Sequence, residues 1–184
     1  MCAHLGVPAA ERPQHNLFVD TRDGALRAAS LALRLRREPG RGLITVKGPA
    51  RRHGEVADRL EIECVVDAEQ AQTLWDEPDR MRALDAAPIH HLGTLLESGP
   101  LLEVARFTNL RRSYPWSAAD QSLVLEVDRT LFTDGSEDFE VEVELQDAAL
   151  ATPVTAALHA LLDVIGVEHQ AQPLSKLTRA LRHR

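Results

Sequence analysis

Apolar and polar residues alternate along much of this chain, in short runs divided by turn formers. A period of two marks a half-buried β-strand, because successive side chains point to opposite faces. Leu17–Thr21 reads as a short apolar strand ending in a turn, since Asp20, Asp23 and Gly24 are turn formers. Leu31–Arg37 puts Leu31, Leu33 and Leu35 on one side and Arg34 and Arg36 on the other. Pro39-Gly40-Arg41-Gly42 predicts a hairpin turn, and Leu43–Lys47 is the returning strand, with Lys47 in phase with Thr45. In Leu60–Val66, Glu61 and Glu63 lie opposite Ile62 and Cys64. Leu101–Tyr114 and Leu123–Asp128 follow the same rule around a loop from Ser117 to Gln121. Asp134-Gly135 signals a hairpin before Phe139–Leu145, where Glu140, Glu142 and Glu144 share one face and Phe139, Val141, Val143 and Leu145 the other.

Elsewhere the period changes. Met1–Asn16 is broken by Pro8 and Pro13 and reads as the tail of a helix followed by a loop. Ala68–Glu97 has apolar residues at helical spacing and predicts two helices broken near Pro78 or Pro88. Pro153–Ile165 predicts a helix with Thr152 as its N-cap and Gly166 as its stop, using Val154, Ala157, Leu158, Leu161, Leu162 and Ile165 as its apolar face. Ser175–Arg184 predicts a short final helix capped by Ser175. The expectation is one α+β domain over residues 1–184, dominated by an antiparallel sheet with flanking helices.

Composition narrows the function classes. The apolar runs fall short of the roughly 20 residues that span a bilayer, so no membrane role is expected. No secretion signal is legible and Cys2 and Cys64 make no disulfide framework, which makes the cytoplasm the default. A formal net charge of −7 argues against a nucleic-acid partner. The sign is uneven, however: Arg22–Arg59 holds ten Lys and Arg against four acids, whereas Glu126–Asp147 is strongly acidic. Such asymmetry can place an anion site and a cation site in one fold.

Strands with charged faces either belong to an open sheet or enclose a polar tunnel. A tunnel lined by Arg34, Arg36, Lys47 and Arg111 suits a polyphosphate, and Glu61, Glu63, Glu140, Glu142 and Glu144 offer the oxygen ligands that Mg2+ or Mn2+ prefer. Together the two signs suit phosphoryl transfer to water. Other chemistry finds little support: His90-His91 point apart, Cys64 reads as a core residue, Trp75 and Trp116 are isolated, and neither a P-loop nor a dinucleotide fingerprint is present.

In order along nearly the whole chain, the stretches NLFVDT (16–21), LALRLR (31–36), TVKGP (45–49), LEIE (60–63), FTNLRRSYPW (107–116), LVLEVDRT (123–130), Phe139–Glu144 and Ser175-Lys176 resemble the CYTH, or triphosphate tunnel metalloenzyme, family. That family includes inorganic triphosphatases, thiamine triphosphatase and the class IV type of adenylate cyclase. The resemblance implies a sheet that closes into a tunnel, a CYTH-like β-barrel. It implies that Arg34, Arg36, Lys47 and Arg111 bind triphosphate, with Arg112 a lesser neighbour, and that Asp128 supports those arginines or the metal. Glu61 and Glu63 would lie in the tunnel, Glu140 and Glu142, with Glu144 beside them, would be the metal ligands, and Lys176 would close one tunnel end. Glu61, Glu63 and Lys176 are the catalytic candidates.

One departure accompanies the match. Family members begin with a strand carrying Glu-x-Glu-x-Lys, and nothing before Asn16 has that form. The expectation is either a longer natural protein or a tunnel open on one side with weak metal binding. Hydrolysis of a small-molecule triphosphate, tripolyphosphate foremost and thiamine or nucleoside triphosphate next, is the expected function. Cyclisation of ATP and a catalytically impaired polyphosphate-binding module are the alternatives.

Overall fold

The computed structural model describes residues 2–183. In chain order the elements are α1 (Cys2–Leu5), β1 (Ala10–Thr21), α2 (Ala25–Ala28), β2 (Ala32–Glu38), β3 (Arg41–Lys47), β4 (Arg51–His53), β5 (Val56–Asp58), β6 (Glu61–Asp67), α3 (Ala68–Asp76), α4 (Ala87–Leu92), β7 (Leu101–Ala118), β8 (Gln121–Phe132), β9 (Glu137–Val143), α5 (Ala151–Val164) and α6 (Lys176–Ala180). Short 3-10 turns occupy Pro78–Ala83, Gly93–Ser98 and Ala148–Leu150. Seven strands pair antiparallel in the order β6-β3-β2-β1-β7-β8-β9, and β4 and β5 form a separate hairpin that alternation did not reveal. The sheet is the α+β scaffold expected, but it does not close: among the described residues β6 pairs only with β3 and β9 only with β8.

β1 is the middle strand and begins at Ala10, inside the stretch expected to be loop. Pro13 is tolerated because β2 pairs with β1 only over Val19–His15, leaving Ala10–Gln14 bonded on the β7 side alone. The turn expected over Pro39–Gly42 is only Pro39 and Gly40, since Arg41 pairs with Glu38. Gly42 lies within β3 for another reason. A methyl there would stand 2.5 Å from the Ala71 Cβ and 2.9 Å from Val66 Cγ2, so its absence lets α3 sit close on the sheet. The loop expected from Ser117 to Gln121 is a two-residue turn whose residues Ala119 and Asp120 both take positive φ, 49° and 58°, the backbone of a tight type I′ hairpin without its usual glycine.

The two faces of the sheet differ in what covers them. On the outer face Leu17, Val19, Leu33, Leu35, Ile44, Val46 and Val66 meet Leu26, Ala71, Leu74, Met81, Ile89, Leu92 and Leu96 from the helical segments. α3 starts where the Asp67 carboxylate accepts from Gln70 N at 2.7 Å. The stretch expected to hold two helices holds α3 and α4, separated by a 3-10 turn that begins at Pro78, and a further 3-10 turn follows α4. Farther along, Tyr114, Leu125 and Val127 pack with Leu158 and Leu161 of α5. That helix starts at Ala151 with Leu150 as N-cap, and the expected Thr152 cap is replaced by Asp147, which accepts from Ala149 N at 2.9 Å one turn earlier. On the inner face α6 is fastened by Leu177 and Ala180 against Phe18, Phe107 and Phe132. Ser175 caps it as expected, accepting from Thr178 N at 3.1 Å, while Arg184 lies outside the described residues. Among the described residues no helix is long and apolar enough to cross a membrane.

Candidate functional site

Antiparallel register carries the inner face across the whole sheet. Lys47 stands opposite Glu61, Thr45 opposite Glu63 and Arg34, and Arg36 opposite Asn16. On the far side Arg111 stands opposite Asp128, and Asp128 opposite Glu140. Every charged strand position singled out from the sequence therefore points to one face, with two exceptions, Glu144 and Arg112. Glu144 is one residue past β9 and exposed. Arg112 falls on the opposite face and pairs with Glu11 at 2.5 Å.

The half built by β6, β3 and β2 is rich in cations. Lys47 Nζ donates to Glu61 Oε1 at 2.7 Å, and Arg59 Nε donates to the same oxygen at 2.7 Å. Arg34 donates to Thr45 Oγ1 at 3.0 Å, and the Thr45 hydroxyl in turn donates to Glu63 Oε2 at 2.9 Å. Burial, with Arg36 as a like-charged neighbour, pushes Arg34 down to about 9. Burial, then Arg34 and Arg59, push Lys47 down to about 7 against the pull of Glu61. Arg36 is also lowered, by burial and then by Arg111. Burial would raise Glu61, but Lys47 and Arg59 hold it at about 2.

The half built by β7, β8, β9 and α6 is an interlocked ion network. Arg111 forks onto Asp128 at 2.8 and 2.7 Å, reaches Glu142 at 2.5 Å, and contacts Glu126. The Lys176 ammonium lies 2.7 Å from Glu140 Oε2, 2.9 Å from Glu142 Oε1 and 3.0 Å from Asp128 Oδ2. Arg179 adds a contact to Asp138 and one of 2.5 Å to Glu140. Here the acids outweigh desolvation: burial would lower Arg111 and Lys176, but Asp128 and Glu142 raise both. Burial would raise Asp128 and Glu142, and the same cations hold both low. Between the halves runs a row of neutral side chains, Gln14, Asn109 and Thr130, tied at one end to the Glu38 carboxylate: Glu38 accepts from Gln14, Gln14 from Asn109 and Asn109 from Thr130, each at 3.0 Å.

The donors on the acidic side are all carboxylate oxygens, the chemistry that Mg2+ and Mn2+ take. As the side chains stand, no group of three or more His, Cys, Asp or Glu among the described residues is placed to hold a metal ion. Glu140, Glu142 and Asp128 instead surround the Lys176 ammonium. A divalent ion suits this donor set in charge and chemistry, and it would take over the position that this ammonium fills.

Sequence reasoning missed Arg179, Asp138, Glu126, Arg59 and the neutral row. Arg179 had a signal, for it falls one turn after Lys176 on the same short helix. Asp20 and Thr21 prove structural: the Asp20 carboxylate accepts from Leu26 N at 2.9 Å and Arg27 N at 3.1 Å, and Thr21 Oγ1 from Ala25 N at 2.8 Å, which starts α2. A recess of about 870 Å3 lined by Pro78, Arg82, Ile89 and Leu96 lies among the outer helical turns, away from the charged face.

The fold has solved counterparts. HpAC1 from Hippeastrum, named as an adenylyl cyclase and described as having a dominant triphosphatase activity, superposes with a TM-score of 0.83 at 24% identity, over 96% of this chain and 84% of its own. A Bacillus halodurans protein named for adenylate cyclase gives 0.71 at 21% identity, over 92% and 82%. PH1819 from Pyrococcus horikoshii gives 0.65 at 19%, over 99% and 90%. At these identities the likeness is one of fold. No curated protein is matched. The CYTH domain model, in contrast, aligns with residues 5–172, which takes in every strand of the sheet, and the chain accordingly belongs to the CYTH family.

Proposed function

We propose that this chain hydrolyses a small-molecule triphosphate, tripolyphosphate foremost, with the help of Mg2+ or Mn2+. The observation that carries the reading is the inner face itself. Arg34, Arg36 and Lys47 are partly or wholly buried, repel one another, and are under-supplied with acids. A polyanion laid across them relieves that repulsion, and Arg111 extends the row toward the carboxylates.

Glu61 is too weakly basic, at about 2, to take a proton, so its part is to orient Lys47 and Arg59. Glu63, exposed and tied to Thr45, is the carboxylate left to orient an attacking water. Asp128 holds Arg111 in its fork. Glu140 and Glu142, with Asp128, would hold the metal ion, which when bound neutralises charge on the phosphate chain. Lys176 would then turn its ammonium from the carboxylates toward the substrate.

The test is release of phosphate from tripolyphosphate with Mg2+ or Mn2+, abolished by a chelator and by Glu142→Ala. Full turnover by Glu142→Ala would overturn the metal assignment, and cyclic AMP formed from ATP would place the chain with the cyclases instead. A second reading, a module that binds polyphosphate without turnover, is favoured by one observation: the carboxylates are all engaged by Lys176, Arg111 and Arg179, and the sheet stays open at β6 and β9. Binding without phosphate release would select it.

A further inference from the structure

Among the described residues three buried nitrogen donors of the charged face lack an acceptor, Arg179 Nε in the ion network and, on the cationic side, Asn16 Nδ2 and Arg34 Nε. Asn16 is 1% exposed and Arg34 6%, and neither Asn16 Nδ2 nor Arg34 Nε has a hydrogen-bond partner. The orientation of the Asn16 amide follows from its neighbour. Arg36 Nε can only donate and lies 3.1 Å from one end of the amide, so that end is the oxygen and the other is the NH2 group. Buried donors without acceptors are rare and unfavourable, which makes such a group a pointer to a missing oxygen.

Asn16 sits on the middle strand, opposite Arg36, on the face it shares with Arg34 and Arg111. A carbonyl or hydroxyl oxygen would satisfy the amide but leave the surrounding cations as they are. An anionic oxygen does both. We propose that Asn16 is a substrate-binding residue, whose side-chain NH2 group and the neighbouring Arg34 Nε donate to non-bridging oxygens of the bound phosphate chain. This rests on the triphosphate reading above. The amide adds what the cations do not: an ammonium attracts charge from any direction, whereas an amide held by Arg36 offers its protons in one plane and so fixes where along the chain a phosphorus sits. A ligand oxygen reaches it beside Arg36, whose side chain is 16% exposed.

Calorimetric titration of tripolyphosphate into the metal-free full chain, with chelator present, separates the two levels. Asn16→Ala is expected to bind roughly tenfold or more weakly, the worth of a hydrogen bond to a charged group. Asn16→Asp is expected to be weaker still, because it keeps an acceptor for Arg36 but sets a carboxylate oxygen against the phosphate. Both variants binding within about twofold of the wild type would overturn the proposal while the triphosphate reading stands. A loss in Asn16→Ala that Asn16→Asp restores would overturn it too, since the residue would then serve only to hold Arg36. No binding by the wild type would sink both. Melting temperatures without ligand are read alongside, and if Asn16→Ala does not fold, Asn16→Asp and Asn16→Ser decide the matter in the same way.

Discussion

The two halves of the inner face carry similar residues in opposite electrostatic states. On the β6-β3-β2 side Arg34, Arg36 and Lys47 are all pushed below their ordinary pKa values, because burial and mutual repulsion exceed what Glu61 and Glu63 return. On the β7-β8-β9-α6 side Arg111, Lys176 and Arg179 are all raised, and Asp128 and Glu142 are held low. The first half is charged and unsatisfied, the second charged and satisfied. Ligand-free, the second half therefore supports the fold while the first weighs on it, and a polyanion has most to gain from the first.

Breaking the satisfied half should cost most. Arg111→Met leaves the fully buried Asp128 carboxylate with one of its two cations, Lys176, and is expected to lower stability by about 3–5 kcal/mol in urea titrations. A loss under about 1 kcal/mol would mean that the network does not bear on stability. The unsatisfied half should respond the other way. Arg34→Met or Lys47→Met is expected to leave stability unchanged or improve it, while weakening tripolyphosphate binding by roughly tenfold or more. If both properties fell together, the contrast would be wrong.

The pH dependence sharpens the same comparison. Lys47 titrates at about 7 in the folded protein against an ordinary 10.5, so between those values the unfolded chain binds the extra proton and stability rises with pH. Lys47→Met should remove that rise from denaturation curves recorded between pH 7 and 10. At pH 8 tripolyphosphate should drive proton uptake onto Lys47, seen as binding heats that differ between buffers. Asp128 and Glu142 act at the other end, with stability present above the ordinary carboxylate range and lost as the pH falls below it. The smallest effect is expected at Arg129, exposed on the outer face beside Glu137: Arg129→Ala should leave the urea midpoint of the wild type essentially unchanged.

Strand alternation alone told which side chains share a face, and Arg34, Arg36, Lys47, Glu61, Glu63, Glu140 and Glu142 all lie where it puts them. It could not tell that β1 runs through the centre. Pro13 hid its first half, and a two-sided strand position such as Asn16 looks no different in sequence from a loop asparagine. Neighbour order is set by pairing between distant segments, which no local pattern encodes. Nor could alternation show whether the sheet closes, for that depends on what meets β6 and β9. Arg179 escaped for a related reason, since its partners Asp138 and Glu140 are about forty residues away.

The unpaired rims of the sheet have one more outcome. A bare strand edge invites a second molecule to add itself, backbone to backbone, and so to begin an aggregate. Both rims here are lined with acids, Glu61, Glu63 and Asp67 on one and Glu137, Asp138, Glu140 and Glu142 on the other, so approaching copies repel. Acidification removes that protection, and light scattering should show the protein clumping once the pH falls well below the ordinary carboxylate range, because Glu61, Glu137 and Glu142 are held low.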